Sequence, residues 1–238
     1  ILNIATEQLD EGASILDVNM GMSGIDEAQK LTEAVKVLQG VIDAPLQLDS
    51  ARANAIESAL RITDGIPIIN SVNGEEKSLN SILPLAQKYG AYVIALCLDE
   101  NGIPDLEGRL KIADKIIKRA KEYNIPSERL IFDPLTLAIS VDGENAKITL
   151  EGVKRLYAKN LKTTLGLSNV SFGLPYREGV NATFFELAVD AGLTLAIINP
   201  SIKLERNALA ERALLGMDKN CENYIEVYSE YKPEPIKE

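Results

Sequence analysis

The stretch Ile15-Leu16-Asp17-Val18-Asn19 is a short apolar run that ends in a carboxamide. Six more apolar runs along the chain end in an acid or an amide in the same way. The terminal residues of the seven runs are Asn19, Asp49, Asn70, Asp99, Asp133, Asn169 and Asn199. Successive members of this set are 21 to 36 residues apart, a spacing typical of a repeated strand and helix. We therefore expect parallel strands, buried on both faces, whose polar residues lie at one edge of the sheet.

Amphipathic segments lie between these runs. Residues 26–38 place Leu31, Val35 and Leu38 on one face and begin with acidic residues, as a helix N-terminus favours. Further helices are predicted at about 52–61, 76–89, 107–123, 148–159, 178–190 and 205–215. The alternation permits an open doubly wound sheet or a closed barrel. We favour the α/β class with a (β/α)8 TIM barrel, because no glycine-rich phosphate loop follows the first run. In such a barrel, the carboxyl ends of the strands form the mouth where the chemistry occurs.

The chain begins with an amphipathic helix, rather than with a methionine and a strand. A closed barrel needs eight strands, so we expect its first strand to be missing from this chain. The chain is then either a fragment of a longer polypeptide or a sequence from which the N-terminal strand is absent. We expect one barrel domain over residues 1–222 and a C-terminal tail or linker over residues 223–238.

Composition excludes several classes of partner. The chain has 25 Lys and Arg residues, 35 Asp and Glu residues and a net charge of −10, so a nucleic-acid surface is not expected. No apolar stretch approaches the length that spans a bilayer, and no signal peptide is evident, which predicts a soluble, cytoplasmic protein without membrane contact. Cys97 and Cys221 form neither a disulfide framework nor a metal-spaced pair, so we expect reduced thiols and no metal site.

The chain contains no histidine. This removes the commonest general base, the commonest zinc ligand and the central member of a hydrolase triad. The chemistry that remains uses carboxylates, carboxamides, backbone amides or a cofactor with its own reactivity.

Six motifs at successive strand ends carry a family resemblance. They are Leu16-Asp17-Val18-Asn19-Met20-Gly21, Gln47-Leu48-Asp49-Ser50, Ile69-Asn70-Ser71-Val72-Asn73-Gly74-Glu75, Leu98-Asp99-Glu100-Asn101-Gly102-Ile103-Pro104, Ile131-Phe132-Asp133-Pro134-Leu135 and Gly166-Leu167-Ser168-Asn169-Val170-Ser171-Phe172-Gly173. From about residue 5 to about residue 200, the chain resembles the pterin-binding barrel of methyltetrahydrofolate-dependent corrinoid methyltransferases. That family includes free-standing enzymes that methylate a corrinoid iron–sulfur protein and the folate domain of cobalamin-dependent methionine synthase.

The resemblance implies roles for individual residues. Asp49, Asn70 and Asp133 match positions that hydrogen-bond the pyrimidine edge of the pterin, whose adjacent donors and acceptors suit such side chains. Asn169 matches the residue beside the ring nitrogen that carries the methyl group. Asp17 and Asn19 match a motif that supports the same pocket. For each residue the structural alternative is a helix N-cap or a turn.

Three further polar residues have open assignments. Arg177 has three possible assignments. It contacts the glutamate tail of the folate, it contacts the corrinoid partner, or it forms a salt bridge at a helix start. Asn199 is either a pocket wall or an N-cap. Asp99 lies at a strand end that the family does not mark as a main pterin contact, so we expect a structural role for it.

The function implied is methyl transfer from 5-methyltetrahydrofolate to the cob(I)amide of a corrinoid protein or domain, or the reverse. Asn169 and Asp49 are the catalytic candidates, a partner supplies the corrinoid, and a free-standing enzyme of this kind is expected to be a homodimer. One alternative is a dihydropteroate synthase-like enzyme, which needs a basic Ser-x-Lys or Ser-x-Arg motif that residues 166–173 lack. The other alternative is a folate-binding domain without catalytic activity.

Overall fold

A computed structural model describes residues 1–204 and 206–232. The chain forms two compact units. The first unit comprises Ile1–Asp133 together with Asn199–Ser201, and the second comprises Pro134–Ile198 and Ile202–Glu238. Among the described residues, no helix is long and apolar enough to cross a membrane.

The first unit alternates helices with parallel strands. Its helices are α1 (Leu2–Asp10), α2 (Glu27–Gln39), α3 (Ala53–Leu60), α4 (Glu76–Tyr89) and α5 (Leu106–Glu122), with a 3-10 helix at Ser127–Arg129. Its strands are β1 (Leu16–Asn19), β2 (Leu46–Asp49), β3 (Ile68–Val72), β4 (Tyr92–Leu96) and β5 (Leu130–Asp133). These strands pair in parallel in the order in which they occur along the chain. The prediction of an α/β fold with parallel strands is confirmed.

Local sequence explains where these helices begin and end. The side chains of the N-cap residues Asp26 and Asp105 accept hydrogen bonds from the backbone N–H groups of Gln29 and Gly108, at 3.1 and 2.8 Å. Helix α4 ends at Gly90, whose φ of 64° is left-handed and favours glycine. In β1 the buried residues Leu16 and Val18 are apolar, and the polar residues Asp17 and Asn19 alternate with them.

The second unit is mainly helical. Its elements are α6 (Asn145–Tyr157), the short strand β6 (Lys162–Thr163), a 3-10 helix at Leu167–Ser171, α7 (Arg177–Asp190), α8 (Ala208–Leu214), a 3-10 helix at Lys219–Cys221 and α9 (Glu222–Tyr228). Its core is one apolar cluster that includes Leu165, Leu167, Val180, Phe184 and Tyr224, all of them buried. This core sets the position of the 3-10 helix that carries Asn169.

The two predicted strands that end at Asn169 and Asn199 are reduced to a single isolated bridge. The run Leu165–Asn169 was predicted as a strand, but Leu167–Ser171 forms a 3-10 helix. Extended pairing ends at Gly166, which bridges Ile197, the one residue of the predicted strand 195–199 that joins a bridge. Glycine weakens a strand, and the serine and asparagine that follow favour turns, which explains the difference.

Helix α9 crosses the predicted start of the tail at residue 223. Tyr224 is fully buried, so the ordered fold continues to Tyr228. The predicted Pro-containing part of the tail, residues 233–238, lies outside the described residues, as does Glu205 at the predicted start of the helix over 205–215. A role of the tail as a linker stays a prediction.

Four tyrosines form a cluster in the second unit. The Tyr176 ring lies 4.9 Å from the Tyr228 ring and 4.5 Å from the Tyr231 ring, and the Tyr224 and Tyr228 rings are 4.7 Å apart. The Tyr224 hydroxyl donates a hydrogen bond of 2.8 Å to the carbonyl oxygen of Tyr176. The cluster, which we call the tyrosine cluster, therefore joins α9 to the start of α7.

Candidate functional site

Five polar side chains of the adjacent strands β1, β2 and β3 share one face of the sheet. Asn19, Asp49 and Asn70 lie opposite one another in the register of these strands, and Asp17 lies opposite Gln47 one layer earlier. Residues two apart on a strand project from the same face, so both layers face the same side. We call these five residues the polar edge. It contains four of the predicted site residues.

Hydrogen bonds connect the members of the polar edge. Asn19 Nδ2 donates to Asp49 Oδ2 at 2.7 Å, and Asn19 Oδ1 accepts from the backbone N–H of Gly21 at 2.8 Å. Gln47 Nε2 donates to Asp17 Oδ1 at 2.5 Å, and Asn70 also hydrogen-bonds the Asp17 side chain. Because both ends of the Asn19 carboxamide are engaged, its orientation is fixed and it holds Asp49 in place.

The environment raises the pKa of both carboxyl groups of the polar edge. Burial raises the pKa of Asp49, the hydrogen bond from Asn19 opposes the rise, and the charge of Glu27 adds to it. Burial also raises the pKa of Asp17, against the hydrogen bonds from Gln47 and Asn70. Such carboxylates are strong acceptors for the N–H groups of a ligand.

Asp133 ends β5 and is buried, with 8% of its surface exposed. Its backbone carbonyl accepts from the N–H of Cys97 at 3.0 Å, and its charge acts on the guanidinium of Arg109. Arg109 is 4% exposed, and its Nε donates to the carbonyl of Pro104 at 3.1 Å. Burial lowers the pKa of Arg109, while the charges around it, including that of Asp133, oppose the change.

Sequence reasoning missed Arg109, Gln47, Glu27 and Ser50. A signal for Arg109 was available, because it lies on the buried stripe of α5 with Ala113 and Ile116, where a charge needs a partner. Gln47 is two residues before Asp49 on the same strand, so the period of the strand places both on one face. Glu27 and Ser50 gave no such signal, since an acid in a first helical turn is ordinarily solvent-exposed.

In the second unit, the 3-10 helix Leu167–Ser171 presents Asn169 to solvent. Arg177 holds this helix from the start of α7. Its Nε donates to Ser171 Oγ at 3.0 Å, and its Nη2 donates to the carbonyl of Ser168 at 2.8 Å. The structure thus brings Asn169 and Arg177 onto neighbouring elements, and it gives Arg177 a supporting role that none of its predicted assignments included.

The segment from Leu167 to Gly173 is held from another side as well. The N–H of Ile139 donates to the carbonyl of Val170 at 3.0 Å, and Ser140 Oγ donates to the carbonyl of Phe172 at 2.6 Å. Together with the two bonds from Arg177, these contacts fix the turn without a strand. We call residues 167–173 the braced turn.

The tyrosine cluster includes Tyr176, the residue that precedes Arg177. Tyr176 has a left-handed backbone, with φ 42° and ψ 52°, and its ring covers the first turn of α7. A Cβ at Gly179 would lie 2.4 Å from the Tyr176 ring, so only glycine permits this packing. The position of Tyr176 therefore depends on α9 and on Gly179.

Asp99 and Asn199 both form local turns. Asp99 Oδ1 accepts from the N–H of Asn101 at 2.9 Å, in agreement with the structural role predicted for it. Asn199 Oδ1 accepts from the N–H of Ser201 at 3.1 Å, which is a turn contact of the same kind. In the described part of the chain, no group of three His, Cys, Asp or Glu residues is placed to hold a metal ion.

Comparison with known proteins identifies a family for this chain. The sequence model of the family described as "Pterin binding enzyme" matches residues 1–199. A methylcorrinoid:tetrahydrofolate methyltransferase of Eubacterium limosum is 29% identical over 239 residues, which cover 98% of this chain and 88% of that protein. A methionine synthase of Mycobacterium tuberculosis is 30% identical over 225 residues, which cover 88% of this chain and 19% of that protein.

Solved structures agree on the fold. A dihydropteroate synthase of Coxiella burnetii, in complex with pteroic acid, has a TM-score of 0.69 and 19% sequence identity. The likeness covers 95% of this chain and 85% of that chain. At this identity the likeness shows the fold alone, and it confirms the predicted α/β fold of the TIM-barrel kind.

Proposed function

Because this chain belongs to the family of pterin binding enzymes, we propose that it is a methyltransferase acting between 5-methyltetrahydrofolate and a corrinoid held by a partner protein or domain. The observation that carries the proposal is the polar edge, in which Asn19 holds Asp49 beside Asn70 on three adjacent parallel strands. The methylcorrinoid:tetrahydrofolate methyltransferase of E. limosum, similar over nearly the whole chain, supports the reaction.

The residues of the first unit fit a pterin. A 2-amino-4-oxopyrimidine ring presents N–H donors beside a carbonyl acceptor. The carboxylates of Asp49 and Asp133 accept from such donors, and the carboxamide of Asn70 can both donate and accept. Asp17 and Asn19 support this set, Asn19 by its hydrogen bond to Asp49. We assign ring binding to these residues.

We assign to Asn169 the contact with the reacting nitrogen, N5 of the pterin. When the methyl group leaves the pterin, the bond between the methyl carbon and N5 breaks, its electron pair stays on N5, and N5 gains a proton. The corrinoid of the partner would supply the nucleophilic metal centre, whose own electron pair would form the new bond to the methyl carbon. A carboxamide is not a general acid, so Asn169 donates a hydrogen bond that stabilises the change of charge at N5 while water delivers the proton. This hydrogen bond is stronger in the transition state than in the bound substrate, so it favours transfer over binding.

Arg177 has two parts in this proposal. Its hydrogen bonds to Ser168 and Ser171 support the braced turn on which Asn169 lies. As an exposed cation beside that turn, it also suits the glutamate tail of the folate or an acidic group of the corrinoid partner.

The partner is a corrinoid protein or a cobalamin-binding domain. Where the chain acts as a free-standing enzyme, we propose a homodimer, as the family resemblance implies. The similarity to a methionine synthase spans 19% of that larger protein, and it supports a corrinoid domain as the alternative to a separate corrinoid protein.

The proposal is tested by mixing the protein with 5-methyltetrahydrofolate and chemically reduced cobalamin, and by following the absorbance of the corrinoid. We expect methylcobalamin to form, and the reverse reaction to occur with methylcobalamin and tetrahydrofolate. Binding of methyltetrahydrofolate without transfer in either direction would contradict the proposal and favour a non-catalytic folate-binding domain. Condensation of a pterin diphosphate with p-aminobenzoate would favour the dihydropteroate synthase alternative.

A further inference from the structure

Glu27 is a buried acid that the proposed reaction does not use. It occupies the first turn of α2, directly after the N-cap residue Asp26, and 8% of its surface is exposed. An acid at a helix N-terminus is favourable because of the helix dipole, but burial of a carboxylate is costly unless it is paired and hydrogen-bonded. The contacts of Glu27 therefore indicate what it stabilises.

These contacts are made by the turn that follows β2. Ser50 Oγ donates a short hydrogen bond to Glu27 Oε1, and Arg52 Nε lies 3.3 Å from Glu27 Oε2. The N–H of Arg52 in turn donates to Ser50 Oγ at 3.0 Å. The N–H of Ser50 donates to the carbonyl of Asn70 at 3.0 Å. Glu27 thus fixes the backbone immediately after Asp49.

Glu27 also lies close to the carboxamide that holds Asp49. A Cβ placed on Gly21 would lie 3.3 Å from Asn19 Oδ1 and 3.9 Å from Glu27 Oε1, so both oxygens face the same small space. We propose that Glu27 is a positioning residue for pterin binding, which fixes the turn after Asp49 through Ser50 and Arg52 and sets a second negative charge near that carboxylate. This inference rests on the proposed function.

The arrangement has a consequence for pH dependence. Three charged groups belong to this arrangement: Glu27 on α2 acts on Asp49, Asp49 acts on Asp17 of β1, and Arg52 before α3 pairs with Glu27. The charge of Glu27 raises the pKa of Asp49, in addition to the effect of burial. The N–H groups of a pterin require the ionised carboxylate, so binding is lost as the pH falls through this pKa. Neutralising Glu27 lowers the pKa of Asp49 and moves that loss to lower pH.

The test measures the dissociation constant of 5-methyltetrahydrofolate against pH for the full chain and three variants. The acidic limb of this profile is the loss of folate binding as the pH falls. Glu27→Gln removes the charge, and we expect the acidic limb to move to lower pH. Ser50→Ala leaves the charge but removes the hydrogen-bond donor, so we expect binding about tenfold weaker at every pH with the limb in place. Glu33→Gln is the control, because Glu33 lies on the exposed face of the same helix and pairs with Lys30 at 2.6 Å.

The outcomes separate this inference from the proposed function. An unshifted limb in Glu27→Gln, as in Glu33→Gln, would overturn the inference while methyl transfer by the parent protein still supports the function. Parent protein that binds the folate but transfers no methyl group would overturn the function, and a shifted limb would still support the role of Glu27. Should Glu27→Gln not fold, Ser50→Ala decides the matter, since wild-type affinity in that variant would contradict a positioning role.

Discussion

The polar edge of the first unit and the braced turn of the second unit present their functional amides in different ways. Asn19, Asp49 and Asn70 lie in register on adjacent parallel strands, and a side-chain hydrogen bond connects Asn19 to Asp49. Asn169 lies on a 3-10 helix that is held by the Arg177 side chain and by Ser140. The first arrangement follows from the register of a sheet, whereas the second depends on individual side chains that brace a loop.

The difference matches the chemistry that we assign to each region. Binding a flat ring needs several groups at fixed spacing, which adjacent strands about 4.8 Å apart provide. Stabilising one reacting atom needs a single donor at the correct place, and a braced loop provides it. Substitutions in the two regions should therefore separate affinity from turnover.

The largest effect is expected from Asn169→Ala. Loss of a single donor to the reacting nitrogen should lower turnover by about 10²–10³-fold and change pterin affinity little. A binding titration and a methyl-transfer assay on the same preparation measure the two quantities. Equal losses of affinity and turnover would contradict the role of Asn169 and remove the contrast between the two regions.

Asp49→Asn should act mainly on affinity. Replacing the carboxylate weakens its hydrogen bonds to pterin N–H groups, which corresponds to binding about 10- to 100-fold weaker. Titration with 5-methyltetrahydrofolate measures this loss, with Asp99→Asn as the control because Asp99 caps a local turn. Unchanged affinity in Asp49→Asn would show that the polar edge does not bind the ring.

Arg177→Gln tests the support of the braced turn. It removes two hydrogen bonds, to Ser171 and to Ser168, and should lower turnover about tenfold. Arg206→Gln is a matched control, since Arg206 is exposed in the same unit and bonds Glu211 twice. Affinity for a folate with and without its glutamate tail distinguishes support of the turn from direct contact, because only direct contact makes the loss depend on the tail.

The smallest effect is expected from Tyr224→Phe. The substitution removes the hydrogen bond from the hydroxyl to the carbonyl of Tyr176 and should lower the free energy of unfolding by about 1 kcal/mol. Denaturant unfolding measures this change, and Tyr157→Phe, an exposed tyrosine of the same unit, should be neutral. Lower turnover at full stability would instead place Tyr224 among the groups that position the braced turn.

The sequence predicted the secondary structure around the polar residues better in the first unit than in the second. The apolar runs before Asn19, Asp49 and Asp133 each form a strand with the polar residue at its end, because period and burial decide a parallel sheet. The strand that contains Asn70 continues to Val72, so the predicted strand end at Asn70 is wrong by two residues. Asn169 was assigned to a strand, yet it lies on a 3-10 helix, because the contacts that determine the turn come from distant parts of the chain.

Contacts between distant parts of the chain also explain why Glu27 and Arg109 were not predicted. Glu27 and Arg109 act through partners far away in sequence, and no local pattern predicts which buried charge meets which acid. The assignment of pterin contacts to Asp49, Asn70, Asp133 and Asn169 came from the order of the motifs, and it stays a prediction. Composition contributed the exclusion of histidine chemistry, which needs no structure at all.

The tyrosine cluster gives the second unit a spectroscopic signature of its own. The chain has no tryptophan, and four of its eight tyrosines belong to the cluster, namely Tyr176, Tyr224, Tyr228 and Tyr231. Rings packed in fixed orientations produce near-ultraviolet circular dichroism, which vanishes when the packing is lost. That signal therefore reports chiefly on the region next to the braced turn, and it allows the melting of this region to be followed without any introduced label.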